Sequence, residues 1–288
     1  MNSDLSVLAA RFRDTGKTAE ESVNLTGVVT NRIVRYAIDG NEEFSQDAKF
    51  LDDLFAPLKV DEETEKGLES MKVFLPKVPS EIFERYRAIR KEIDNLKNQG
   101  AKNLIVAACG LSPLGLLYAG DKSMNVYDTD LEKIVSYRNR LGLNNNPNYH
   151  VQVLDMLDSG AVEKFIAEVP NKKTAVLVEG LTFYLDEEKR KVLNENLSKM
   201  ARTGDATFIL DYYVAKMGAR QRDSKIDPKS PYFESFRNVI GNVHSEQKCF
   251  MPSREAVIDY LKSEGFKNVR VSKYCSPENA HTIFVAGF

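Results

Sequence analysis

From residue 103 onward, short apolar runs alternate with amphipathic stretches, and few folds accept that rhythm. "NLIVAA" is the first run, and it passes into "CGLSPLG". "MNVYD" follows, then the helical "DLEKIVSYRNRLGL". "YHVQVLD" precedes a helix around "AVEKFIAEV", and "TAVLVE" precedes "DEEKRKVLNENLSKM", with Asp186 as N-cap. "ATFILDYY" is the fifth run. Strands that alternate with helices predict a parallel sheet covered on both faces. A polar stretch, residues 214–252, comes next, then the helix "SREAVIDYLKSEGF" with Ser253 as N-cap. The last runs, "NVRVSKY" and "HTIFVAGF", are joined by a short Ser-Pro-Glu-Asn link with no helix, so they are expected to pair antiparallel.

The first 80 residues read as helical. Val28, Val29, Ile33, Val34 and Ala37 recur at helical spacing before the Asp39-Gly40 turn, and "DAKFLDDLFAPL" is a second amphipathic stretch. A longer helix is expected from Ser80, its N-cap, with Ile82, Tyr86, Ile89, Ile93 and Leu96 on its apolar face and Gly100 at its end. The expected organisation is a helical cap over 1–80 and an α/β domain over 81–288, interrupted by a lid-like insertion at about 214–252.

In an open parallel sheet, ligands bind beyond the carboxyl ends of the strands, near the point where strand order reverses. The first strand delivers the loop "ACGLSPLG" there. The second delivers Asp128 and Asp130, the third Asp155, the fourth Glu179, and the fifth Asp211, Tyr212 and Tyr213. Successive acids on one rim call for an explanation, because a buried carboxylate costs free energy unless something satisfies it. Each has a plainer reading. Gly110 can simply turn the chain, Asp130 can cap a helix, and Asp155 can cap the helix after Leu157. Glu179 has the fewest, since an apolar strand precedes it and no helix starts on it.

Together the acids suit a bound adenosine. Asp128 and Asp130 lie 18 and 20 residues beyond Gly110, about where an acid reaches ribose hydroxyls in nucleotide-binding sheets. A carboxylate such as Asp155 suits an adenine amino group. A dinucleotide would bring a pyrophosphate, which wants glycine backbone and a helix N-terminus, and "GLSPLG" is neither GxGxxG nor a P-loop. S-adenosylmethionine brings a sulfonium and an ammonium, and Glu179 with nearby aromatic rings suits a cation.

The stretch "IVAACGLSPLGL", then "VYDTDLEKI", "VLDM" and "LVEGLTFYL", resembles the leucine carboxyl methyltransferase family, which includes polyketide O-methyltransferases. "ERYRAIRKEIDNL" is similar to its Arg-bearing helix, and "NRIVRYAIDGNEEFSQDAKFLDDLF" to its N-terminal cap. The resemblance implies a Rossmann-like, seven-stranded methyltransferase sheet with an antiparallel last strand, and S-adenosylmethionine as methyl donor. It implies that Arg90, or else Arg85, pairs with the cofactor carboxylate. Ala108 and Gly110 would form the close-approach loop, Asp130 would bind ribose, Asp155 and Met156 would flank adenine, and Glu179 would face the methionine portion. The family usually has Gly-x-Gly in this loop, and here the first glycine is Ala108, whose methyl narrows the backbone approach.

The expected activity is O-methyl transfer to a carboxylate or hydroxyl of a small molecule or a carboxyl terminus. A carboxylate acceptor is already ionised at neutral pH and needs no base. For a hydroxyl, the candidates for the base are Tyr184, Tyr212 and His244, with Asp211 and Tyr213 beside them. The alternatives are a nicotinamide-dependent oxidoreductase and a methyltransferase fold that has lost catalysis. A net charge of -2 and a pI near 6.1 give no reason to expect a nucleic acid or an anionic membrane as partner. No apolar run approaches a bilayer span, and the N-terminus carries no secretion-signal pattern. Three scattered cysteines and three scattered histidines suggest reduced thiols, a cytoplasmic protein and no metal site.

Overall fold

A computed structural model describes residues 34–35, 38–55, 77–120, 122–140, 146–201, 205–214 and 251–288. The chain divides into two compact units, Met1–Phe83 with Asp223–Gln247, and Glu84–Arg222 with Lys248–Phe288. In the first unit, a 3-10 turn, Glu42–Phe44, leads into helix α1, Ser45–Phe55. Asn41 caps the turn through the Glu43 amide at 3.0 Å, after Gly40 reverses the chain at φ +70°. Arg35 bridges Asp39 and Asp52 at 2.8 and 2.9 Å. Phe44 meets Phe83 edge-on, 5.8 Å between centroids. The readings on residues 1–33 lie outside the described residues.

The second unit holds a seven-stranded sheet in the order β3-β2-β1-β4-β5-β7-β6. β1 is Asn103–Ala107, β2 Asn125–Asp130, β3 Tyr149–Val153, β4 Thr174–Val178, β5 Ala206–Tyr213, β6 Lys267–Val271 and β7 His281–Gly287. β1 to β5 pair in parallel, and β7 runs antiparallel to both β5 and β6. The α/β reading from sequence and the antiparallel end therefore hold. Every residue of β1 and β4 is buried, as central strands covered on both faces must be. The bulged, charged β6 is an edge strand, where charge blunts unwanted pairing.

Strand order reverses between β1 and β4, which opens a crevice at their carboxyl ends. Because β7 is antiparallel, its first residue reaches the same rim as the last residues of its neighbours. His281 accordingly lies opposite Tyr213 in the register.

The helices are α2 (Lys77–Asn98), α3 (Leu114–Ala119), α4 (Glu132–Arg140), α5 (Ser159–Glu168), α6 (Glu187–Ala201) and α7 (Arg254–Ser263). Helix α2 starts three residues before the expected Ser80 cap. Pro79 falls in its first turn, where a missing N–H costs nothing. Its far end closes at Gly100, φ +94°, and Tyr86, Ile89, Ile93 and Leu96 are buried as expected. Glu92, also buried, takes a two-armed contact from Arg270 at 2.9 and 2.7 Å. Asp186 accepts from the Lys189 amide at 3.0 Å and Ser253 from the Ala256 amide at 3.1 Å, so both expected caps are in place. No described helix is long and apolar enough to cross a membrane. Among the described residues Cys109 and Cys275 are buried free thiols, and no group of side chains could hold a metal ion.

Candidate active site

The loop after β1 is a tight left-handed reversal. Ala108 has φ +54° and Gly110 φ +53°. Glycine adopts this region freely, whereas a Cβ costs about 1–2 kcal/mol there. The loop therefore keeps a glycine-like path although Ala108 carries a methyl. Ala108→Gly is expected to raise stability by about 0.5–1 kcal/mol after glycine's extra chain entropy is deducted. Thermal unfolding measures this, as a rise of about 2 °C in Tm. A lower Tm would mean that the Ala108 methyl packs well enough to outweigh its strain.

Asp130 holds this loop in place. Its carboxylate accepts from the Gly110 amide and from the Leu131 amide, both at 2.7 Å. It ends strand β2 and does not cap α4, which begins at Glu132. Burial pushes its pKa up against the pull of those two amides. Each oxygen keeps a second lone pair for a ligand, and the residue is 8% exposed.

Asp128, two residues earlier, is wholly enclosed. The Arg138 guanidinium and the Tyr149 hydroxyl both reach its Oδ2. Arg138 also donates to the carbonyls of Gly110 and Ser112, at 2.9 and 3.1 Å. One buried arginine on α4 thus ties Asp128 to the loop after β1. Gly115 completes the enclosure, since a Cβ there would stand 1.9 Å from Asp128 Oδ1. Burial raises Asp128 above the ordinary carboxylate range, against the opposing pull of Arg138 and Tyr149. The expectation that Asp128 and Asp130 both face a ribose therefore divides: Asp130 is at the rim, and Asp128 lies beneath it as a strut.

Across the crevice, the ends of β4, β5 and β7 gather four ionisable side chains. Arg85 on α2 lies 3.0 Å from Glu179 Oε1 and 3.7 Å from Asp211 Oδ2. His281 Nδ1 lies 3.5 Å from Asp211 Oδ1. Gly180, at φ +70°, turns the chain directly after Glu179. The Glu179 side chain keeps 17% of its exposure and Asp211 none. Both Asp211 oxygens are buried, and the Arg85 and His281 side chains and the Gly180 amide are what face them. Burial works to raise Asp211, but His281 and Arg85 together outweigh it and hold its pKa below the usual range. For Glu179 burial prevails over Arg85, and its pKa is raised. Two carboxylates face one guanidinium. With His281 neutral, these four described side chains carry one net negative charge.

Arg90 stacks over the Tyr118 ring at 4.6 Å, while Arg85 is the arginine that reaches Glu179. Asp155 is exposed and accepts from the Leu157 amide at 2.9 Å, with Met156 buried beside it. Helix α5 is capped by Asp158. Tyr212 is 2% exposed and packs edge-on against Phe284 in the core, 5.9 Å between centroids, on the sheet face away from Asp211 and Tyr213. Tyr184, in the 3-10 turn Thr182–Tyr184, packs with Tyr213 and Ala280. His244 lies outside the described residues. Sequence reasoning missed Arg138 and His281. For His281 the signal was available: the first residue of an antiparallel last strand must reach the ligand rim.

The model of the family described as leucine carboxyl methyltransferase matches residues 41–198. The chain belongs to the leucine carboxyl methyltransferase family. It is accordingly an S-adenosylmethionine-dependent methyltransferase. No curated protein matches the sequence. Among solved structures, a candidate methyltransferase from Thermobifida fusca YX has 11% identity and a TM-score of 0.55, covering 82% of this chain and 92% of its own. A DUF574 family protein from Streptomyces avermitilis MA-4680 has 13% identity and the same TM-score of 0.55, covering 89% and 96%. At such identities the likeness concerns the fold alone. The residues of this methyltransferase also fit its cofactor on physical grounds. A cluster short of one positive charge suits the methionine end of S-adenosylmethionine, whose sulfonium and ammonium outnumber its one carboxylate by one, and the loop that Asp130 braces offers glycine-like backbone and no P-loop.

Proposed function

We propose that this methyltransferase transfers a methyl group to an oxygen acceptor, with the donor lying across the crevice between β1 and β4. Ala108 and Gly110 give the backbone approach, and Asp130 uses its remaining lone pairs on the ribose hydroxyls. Asp155 and Met156 flank the adenine. Glu179, with Asp211 behind it, neutralises the cationic methionine end, and Arg85 offers a guanidinium to that end's carboxylate. Arg90, occupied over Tyr118, is the second choice for that contact. The observation that carries the reading is the pairing of two carboxylates with one guanidinium at the ends of β4 and β5.

Bound S-adenosylmethionine supplies an electrophilic methyl and leaves as a neutral thioether. The protein's own task is orientation. Its side chains hold the acceptor oxygen about 3 Å from the methyl carbon and in line with the breaking bond. The hydrogen-bonded strut of Arg138, Asp128 and Asp130 fixes one half of the crevice, and the Arg85 cluster fixes the other.

Titration calorimetry with S-adenosylmethionine, S-adenosylhomocysteine and NAD tests this reading against the oxidoreductase. The first two are expected to bind and NAD to give no heat. Binding of NAD alone would overturn the proposal, and binding of none would favour a fold that has lost catalysis.

A further inference from the structure

Resting on that reading, we infer that His281, held by Asp211, is the general base for the acceptor, and that the acceptor is an aromatic hydroxyl and not a carboxylate. The geometry starts from topology. β7 runs antiparallel to β5, so His281 stands at the carboxyl rim opposite Tyr213. Its Nδ1 faces Asp211 Oδ1 at 3.5 Å, a spacing that catalytic hydrogen bonds often tighten from once substrate is bound. Asp211 in turn lies 3.7 Å from Arg85, which lies 3.0 Å from Glu179. The base is therefore joined to the proposed methionine contact through two side chains. It stands on the β4–β5–β7 side of the crevice, away from the adenosine side formed by β1, β2 and β3.

Charge balance gives the second argument. Among the described side chains Asp211 and Glu179 face Arg85 and a His281 that is neutral when it acts as base, so the cluster accommodates one further positive charge. The sulfonium carries that charge before transfer. As the acceptor O–H bond breaks, its proton passes to Nε2 of His281, and the oxygen lone pair forms the new C–O bond. The C–S bond breaks with both electrons left on sulfur. The positive charge lost from sulfur thus reappears on the imidazole, beside Asp211, and the cluster stays balanced throughout. A carboxylate acceptor would release no proton and leave this dyad without work. Tyr213 stands edge-on to His281, 5.0 Å between centroids, and Tyr184 packs against Tyr213. These rings offer walls for an aromatic acceptor.

Other charged or titratable groups near the dyad are Glu84 and Arg85 from α2, Glu179 and Tyr184 after β4, Tyr213 on β5, and Arg254 and Cys275. The Cys275 thiol is pushed up to about 11, chiefly by burial, so it stays protonated and does not compete as a base.

The test uses the full-length protein, its His281→Gln and Asp211→Asn variants, and two probes: para-nitrophenol and an acetylated peptide ending in leucine. With S-adenosylhomocysteine bound, the wild type is expected to ionise para-nitrophenol, read as phenolate absorption below the pH at which the free phenol ionises. His281→Gln is expected to bind the phenol un-ionised and to keep its S-adenosylhomocysteine affinity. Transfer of labelled methyl to the phenol should fall about 10²- to 10³-fold in His281→Gln and less in Asp211→Asn. The wild-type rate should show an acid limb of unit slope. Wild-type protein that leaves the phenol un-ionised or unbound overturns the inference, and so does peptide methylation equal in wild type and His281→Gln. A wild type that binds no S-adenosylhomocysteine would instead defeat the cofactor reading on which the inference rests. If His281→Gln does not fold, Asp211→Asn and the wild-type acid limb decide.

Discussion

Arg138→Met is expected to destabilise the protein by about 3–5 kcal/mol, the usual result of removing one partner from a buried ion pair. Arg138 is 1% exposed and Asp128 fully buried, so the stranded carboxylate would be left with the Tyr149 hydroxyl as donor. The carbonyls of Gly110 and Ser112 would lose their donor in the same step. The loss should depend on pH. Burial already raises Asp128, and removing Arg138 takes away the largest effect that opposes it. A carboxyl whose folded pKa is raised contributes its stability below the unfolded pKa, and loses it as pH rises through the folded value. The variant's deficit should therefore be larger at pH about 8 than at pH about 5. Denaturant unfolding at both values measures this. Pairing the change with Asp128→Asn should restore part of the loss, because an uncharged amide then replaces the stranded carboxylate. A deficit that is small at every pH would show that the strut contributes little.

The second large effect is expected on binding. Glu179→Gln keeps the shape of the side chain and removes its charge. Arg85 retains Asp211 as a partner, so the fold should tolerate the change. Affinity for S-adenosylmethionine is expected to fall about 10²-fold, since an enclosed charge contact with a ligand is worth about 2–5 kcal/mol. Equilibrium titration at fixed ionic strength measures it.

Much of this arrangement was legible in the sequence. Short apolar runs between amphipathic stretches gave all seven strands, because period and length change together where a buried parallel strand meets a helix. Asp186 and Ser253 read correctly as caps for a local reason: a side-chain oxygen satisfies an amide two or three residues away. Glu179 stood out because a carboxylate ending an apolar strand has no local use. What sequence could not settle was long-range. Arg85 and Arg90 are five residues apart on one helix, which points them roughly 140° apart. Only packing decides that Arg85 meets Glu179 while Arg90 lies over Tyr118. Arg138 sits in "SYRNR", which reads as a solvated helix face. Nothing local says that Asp128, ten residues earlier, folds back beneath it. Asp130 read as equally fit for a helix cap, because β2 extends three residues beyond its apolar part.

The central claim is that unbalanced carboxylate charge at the ends of β4 and β5 selects a cationic donor. Its most direct test is the calorimetric affinity of wild type and Glu179→Gln for two ligands that differ in charge at sulfur, S-adenosylmethionine and S-adenosylhomocysteine. The account predicts that the substitution weakens the sulfonium compound markedly more than the neutral thioether. Equal loss for both, or loss for neither, would contradict it.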